Sequence, residues 1–157
     1  MKRIALFLSL AILSTTTLNA QVASIQNGYY ADANGQGFTG KYTEFFESGI
    51  MKSEINITQG KVEGFAIYYY ENGSKMESGI YLAGLRDGLW EKWSEKGIKT
   101  GEANYKVGVK DGMWIVWDEQ GSKRMEMHYI SGQKSGKWLM WDEKGILSGE
   151  RIYSDAQ

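Results

Sequence analysis

Glycine returns along this chain at a fixed interval of 24 residues, at Gly40, Gly64, Gly88, Gly112 and Gly136, without an insertion. A second series, Gly49, Gly73, Gly97, Gly121 and Gly145, follows nine residues behind the first, and a third falls at Gly60, Gly84, Gly108 and Gly132. These positions hold 14 of the 20 glycines. Glycine weakens helix interiors, and the longest gap this punctuation leaves is the ten residues between the second and third series, shorter than a typical helix of about 11. A strict period with no drift is the signature of a stacked repeat, in which each unit is one supersecondary element.

Within a unit an aromatic and β-branched run such as "WIVW" is followed by "DEQG", then "SKRMEMHYI", then "SGQKSG". Such runs suit a pleated strand, and glycine supplies the positive φ of tight turns. Each unit therefore reads as strand, turn, strand, turn. The expected fold is all-β: an elongated, twisted, single-layer antiparallel sheet of β-hairpin repeats, five in number, over residues 40–63, 64–87, 88–111, 112–135 and 136–157. Residues 21–39 lie outside this register and read as a lead-in or cap for the first hairpin's edge. The last unit stops short, with Ala156 where a third-series glycine would stand.

All six tryptophans sit in two columns of the repeat. One column is Tyr42, Ala66, Trp90, Trp114 and Trp138; the other, three residues on, is Phe45, Tyr69, Trp93, Trp117 and Trp141. Two strands per unit put equivalent residues about 10 Å apart, so neighbouring tryptophans of a column need something between them. Counting about the second turn sets Tyr81 opposite Trp90, Tyr105 opposite Trp114 and Tyr129 opposite Trp138, which implies a continuous ladder of rings. Residues three apart in a regular strand point to opposite faces, so Trp114 and Trp117 share a face only if a bulge separates them.

The N-terminus is a different kind of segment. Lys2 and Arg3 precede an apolar run from Ile4 to Leu13 and a small residue at Ala20, which reads as a secretory signal peptide over residues 1–20. The run is shorter than the roughly 20 residues that span a bilayer. Cleavage there leaves 16 basic and 19 acidic residues, a net charge of −3, which argues against a nucleic-acid partner. With no cysteine there is neither a disulfide nor a lipid-anchored cysteine. The expected location is the periplasm or the cell exterior.

The pattern G-x-W-x-x-W/Y-x-E-x-G, then an acidic residue, a tyrosine and x-x-G-x-x-D-G, is clearest in "GFAIYYYENGSKMESGIYLAGLRDG" and "GLWEKWSEKGIKTGEANYKVGVKDG". It resembles the variant MORN repeat of bacteria, a family that includes many exported proteins and a group labelled as YwqK-type toxin–antitoxin antitoxins. The resemblance runs over residues 40–157 and implies an extended sheet of hairpins that binds proteins or membrane phospholipid, with no catalytic motif. The first unit departs from the pattern in having no tryptophan, and Ala66 interrupts the first column in the second unit.

Chemistry is sparse otherwise. His128 is the only histidine and, with no cysteine, offers neither a structural zinc site nor a Cys-His dyad. The column Glu47, Glu71, Glu95, Glu119 and Glu143 reads as turn-flanking carboxylates, too far apart to share a calcium ion. No cofactor, metal or catalytic residue is expected. The expected function is non-enzymatic protein binding by an exported scaffold. Its candidate contact residues are Trp90, Trp93, Trp114, Trp117, Trp138 and Trp141 with Tyr69, Tyr105 and Tyr129, on turns set by Gly49, Gly73, Gly97, Gly121 and Gly145. Neutralisation of a toxin by an antitoxin or immunity-like protein is the alternative, and recognition of a glycan or lipid head group by the aromatic rings is a further one.

Overall fold

The computed structural model describes residues 22–154. The signal-peptide segment and the truncated end of the last unit at Ala156 lie outside the described residues. A two-stranded hairpin, β1 (Ser24–Gln26) and β2 (Tyr29–Ala31), precedes ten longer strands. These are β3 (Gly40–Phe45), β4 (Met51–Thr58), β5 (Lys61–Tyr69), β6 (Lys75–Leu82), β7 (Leu85–Trp93), β8 (Lys99–Lys106), β9 (Val109–Trp117), β10 (Lys123–Ile130), β11 (Gln133–Trp141) and β12 (Leu147–Tyr153). They form one antiparallel sheet in sequence order, with β3 and β12 as its two edges. The all-β array of hairpins read from the glycine period is the fold.

The two turns of each unit differ because their glycines meet different backbone demands. Inside a unit, the second-series glycine ends a four-residue turn. Gly121, at φ 80°, donates its N–H to the Asp118 carbonyl at 3.0 Å, and the Asp118 Oδ1 accepts from the N–H groups of Gln120 and Ser122 at 2.9 Å each. Between units the connection has only two residues, both at positive φ: Gln59-Gly60, Ala83-Gly84, Val107-Gly108 and Ser131-Gly132. That is the type I′ hairpin, whose twist matches the flanking strands.

The first-series glycines do something else. Across β8 and β9, Ala103 pairs with Trp114 and Tyr105 with Lys110, so three residues of β9 stand opposite Asn104 alone. Gly112, at φ 99°, lies in this bulge. The residue before it closes the neighbouring turn, since the Asp111 carboxylate accepts the Ser131 N–H at 3.0 Å. Asp87 does the same for Val107, Glu63 for Ala83 and the Thr39 hydroxyl for Gln59.

Thr39 thus fills a repeat position upstream of Gly40, and so does Phe38. The Phe38 carbonyl accepts the Gly60 N–H at 2.8 Å, as the Val62 carbonyl accepts that of Gly84. The structural register therefore begins two residues before Gly40. The lead-in hairpin is attached to the first I′ turn, not to the free side of β3: the Tyr30 N–H donates to the Gly60 carbonyl at 2.8 Å. The Tyr30 ring meets Tyr42 edge-on at 5.3 Å, taking the place that a tyrosine from a preceding unit would occupy. Phe38 is buried with Ile55, Ile57, Ala66 and Trp90 in the larger apolar cluster, and Met127, Tyr129 and Trp138 form a second.

Candidate functional site

Register decides which side chains share a face, because directly paired residues of adjacent strands project to the same side. Trp90 pairs with Ala103 and Ala103 with Trp114, which pairs in turn with Met127. From Trp114 to Trp117 strand β9 pairs residue by residue, and the extra residue in that stretch, Arg124, belongs to β10. No bulge separates Trp114 from Trp117, so they project to opposite faces. The nine aromatic candidates therefore do not make one surface. Trp90, Trp114, Trp138, Tyr105 and Tyr129 lie on one side, the ladder face; Tyr69, Trp93, Trp117 and Trp141 lie on the other.

On the ladder face rings meet in an unbroken run from Tyr105 through Trp114, Tyr129 and Trp138 to Tyr153, with centroids 4.9–5.4 Å apart. Tyr81 meets Trp90 at 4.9 Å. The partners are those expected, but they are not directly opposed. Tyr105 stands across from Lys110, and the bulge at 111–113 carries Trp114 to the diagonal position where the rings touch. Each indole N–H is anchored beside the bulge: Trp90, Trp114 and Trp138 donate to the carbonyls of Ile80, Asn104 and His128 at 3.0 Å. Tyr68 extends the aromatic cluster, its hydroxyl 3.2 Å from that of Tyr81. Burial, and then the Tyr81 hydroxyl bond, push the Tyr68 phenol well above its ordinary value.

Between Trp90 and Tyr105 a guanidinium replaces the ring contact. Arg86 lies 4.0 Å from the Trp90 ring centroid and 5.6 Å from that of Tyr105. One period on, Lys110 lies 4.2 Å from Trp114 and 4.8 Å from Tyr129; another period on, Lys134 lies 4.8 Å from Trp138 and 5.3 Å from Tyr153. Each such contact contributes roughly 0.5–1 kcal/mol at an exposed site. The cations also act as a lid, which is how Trp90 and Trp138 come to be only 2% and 8% exposed on a sheet with no second layer. Arg86 is ion-paired to Glu77 at 2.5 Å; burial disfavours its charge, but the Glu77 carboxylate more than offsets this and holds its pKa above the ordinary value. Gly101 and Ala103 leave the floor low beside these residues, and a depression of about 570 Å³ opens between Glu77, Trp90, Trp114 and Val116.

The opposite face is divided along the strands. Toward the four-residue turns, lysines cover the second tryptophan column: Lys75 lies 3.8 Å from Trp93, Lys99 5.8 Å from Trp117 and Lys123 5.3 Å from Trp141. Two of these lysines are tied into carboxylates, Lys99 to both Glu91 and Glu102 and Lys123 to Glu126 at 2.8 Å. Burial works against the Lys99 charge, but its two glutamates prevail and raise its pKa. Toward the I′ turns the same face is apolar and uncovered. Phe65, Ile80, Leu82, Leu85, Leu89, Val109 and Met113 are each 40–52% exposed. Phe65 pairs with Ile80 and Leu82 with Leu85, so they form one strip over the second to fourth units.

Sequence reasoning missed this strip. The columns that build it are apolar only in the middle, running Lys41, Phe65, Leu89, Met113, Lys137 and Lys61, Leu85, Val109, Gln133. The signal was the shared apolar character of the central units at positions of one parity in each strand. Glu47, Glu71, Glu95, Glu119 and Glu143 are all exposed beside the four-residue turns, and Lys96 reaches Glu119 at 3.3 Å. His128 is exposed. Among the described residues no group of His, Cys, Asp and Glu could hold a metal ion, and no helix is long and apolar enough to cross a membrane.

Among known families, the chain matches the MORN repeat variant over residues 38–58. The matched segment starts at Phe38, where the structural register starts, and ends at the close of β4. No curated protein matches the chain.

Proposed function

From the MORN repeat variant that this chain carries, we propose that it is an exported, non-enzymatic scaffold that holds another protein, and that the contact is made by the apolar strip on the opposite face. The observation that carries this reading is the exposure of seven large apolar side chains in one strip. Contiguous exposed apolar patches rimmed by polar residues mark interaction surfaces. Here Lys61, Lys106 and Asn104 supply part of the rim. The strip lies on a rigid sheet, so a partner meets a preformed surface and little ordering entropy opposes binding.

A photo-crosslinking residue placed at Leu85 tests this directly, with Val116 on the ladder face as the comparison. Adducts to one protein from Leu85, lost in a Leu89→Asp variant that keeps its circular dichroism spectrum, support the assignment; adducts unaffected by Leu89→Asp refute it. Export is tested separately by sequencing the mature N-terminus, which should begin at Gln21.

A further inference from the structure

A second binding surface follows from the charge on the ladder face. Across β6 to β12 this face carries Arg86, Lys92, Lys110, Lys134 and Arg151 against one carboxylate, Glu77. On the opposite face, by contrast, lysines alternate with Glu91, Glu102, Glu126 and Glu150 and pair with them. The sequence-wide charge conceals this, because the remaining acids sit largely at the turns. Lys110 and Lys134 hold their positions by contact with rings, not carboxylates, so their charge is not neutralised where it stands.

The spacing of these cations is the informative quantity. Arg86, Lys110 and Lys134 are equivalent residues two strands apart, about 9.6 Å per step. A polyproline II helix rises 3.1 Å per residue with three residues per turn, so every third side chain projects to one side at intervals of about 9.3 Å. A regular β-strand cannot match this row, because its same-face residues recur every second position, about 6.6–6.8 Å apart.

We infer that the ladder face binds an extended acidic segment of a partner protein, in polyproline II conformation, with a carboxylate at every third residue seated on Arg86, Lys110 and Lys134. Arg86 already shares its charge with Glu77, so Lys110 and Lys134 carry most of the attraction. This surface is separate from the apolar strip and goes beyond the function proposed above.

The test uses two fluorescent twelve-residue peptides of identical composition, four glutamates and eight prolines. One has glutamate at every third position; the other has glutamate at alternate positions and then a proline run. Fluorescence anisotropy with the protein from residue 21 onward should show the every-third peptide binding at least tenfold more tightly. The preference should vanish in Lys110→Gln/Lys134→Gln and return in Lys110→Arg/Lys134→Arg. Lys61→Gln/Lys106→Gln, which removes the same charge from the opposite face, should leave binding unchanged, as should Leu89→Asp. Equal binding of the two peptides, or binding indifferent to Lys110 and Lys134, overturns the inference. So does failure of both peptides beside sedimentation with phosphatidylglycerol vesicles, which would make the face a membrane contact. None of these failures affects the strip, whose partner is lost only through Leu89→Asp.

Discussion

Gly79 lies under the Trp90 indole, and adding one methyl group there tests the packing of the sheet. A Cβ at this position would stand 2.3 Å from Cδ2, 2.4 Å from Cε2 and 2.6 Å from Cγ of Trp90. Carbon atoms in contact sit about 3.5–4.0 Å apart, so the ring must rise by more than roughly 1 Å. It has nowhere to go without loss, since its N–H is bonded to the Ile80 carbonyl at 3.0 Å and Arg86 covers it at 4.0 Å. Overpacking costs about 1–3 kcal/mol, a weakened hydrogen bond about 0.5–1.5 and a displaced cation about 0.5–1. Against these, replacing glycine by alanine gains about 0.4–1 kcal/mol by restricting the unfolded chain. The expected net effect of Gly79→Ala is destabilisation by about 2 kcal/mol. Gly101→Ala is the control on the same face, because its Cβ would meet Lys92 Cβ at 3.5 Å and the Ile115 carbonyl at 3.9 Å, ordinary contacts. It should be neutral or stabilising by up to about 1 kcal/mol. Urea unfolding followed by far-UV circular dichroism, with the slope required to stay constant, gives both values. Equal effects of the two substitutions, or a Gly79→Ala variant as stable as the parent, would refute the packing described here.

Val107 occupies the first position of an I′ turn at φ 47°, a region costly for a β-branched residue, so Val107→Asn should stabilise by about 1 kcal/mol in the same assay. Trp90→Ala should cost about 3–5 kcal/mol and Trp117→Ala less than half of that, since Trp90 is 2% exposed and Trp117 is half-buried; comparable losses would contradict the division of the columns between faces. At Asp118, desolvation opposes the charge, but the Ser122 and Gln120 N–H groups and Arg124 outweigh it and hold the carboxyl below its ordinary 3.8. A depressed carboxyl contributes fully above the unfolded value and loses its contribution as pH falls through the depressed one. Amide exchange at Gln120 and Ser122, corrected for intrinsic rates, should therefore be flat above about pH 4 and accelerate below it. Asp118→Asn should abolish that acceleration.

What could be read from the sequence was whatever depends on period alone. The hairpin array follows from glycines at two kinds of turn, and the pairing of Tyr105 with Trp114 follows from the distance between units. What could not be read depends on register. The bulge at Asp111 to Met113 adds two residues to one strand without marking itself except by a glycine that looks like another turn. Faces still alternate through it, but past that point the count from the turn sets the wrong residues opposite one another. This is why the sequence could bring Tyr105 to Trp114 yet not show that they meet on the diagonal; Trp117 stayed open only because a bulge before it had to be allowed for. Lys110 was hidden for the same reason, because its place over Trp114 exists only once the bulge has shifted the ring to the diagonal.

The bulge also explains how a one-layer sheet manages without an interior. A flat sheet exposes both faces, and large rings on it would remain wet. Here the bulge draws each first-column tryptophan against the tyrosine of the preceding unit, and the turn-proximal cation closes over that tryptophan and the tyrosine of its own unit, so burial is achieved within one face. That solution uses the first-column tryptophans in packing and leaves other columns to depart from the period. Trp90, Trp114 and Trp138 follow the period because packing needs them there. Beneath them one column runs Ile55, Gly79, Ala103, Met127 and Arg151, and on the far side another runs Lys41, Phe65, Leu89, Met113 and Lys137. Departure from the repeat makes the depression over Ala103 and the strip around Leu89. In this chain the regular positions hold the sheet, and the contact proposed above falls to the irregular ones.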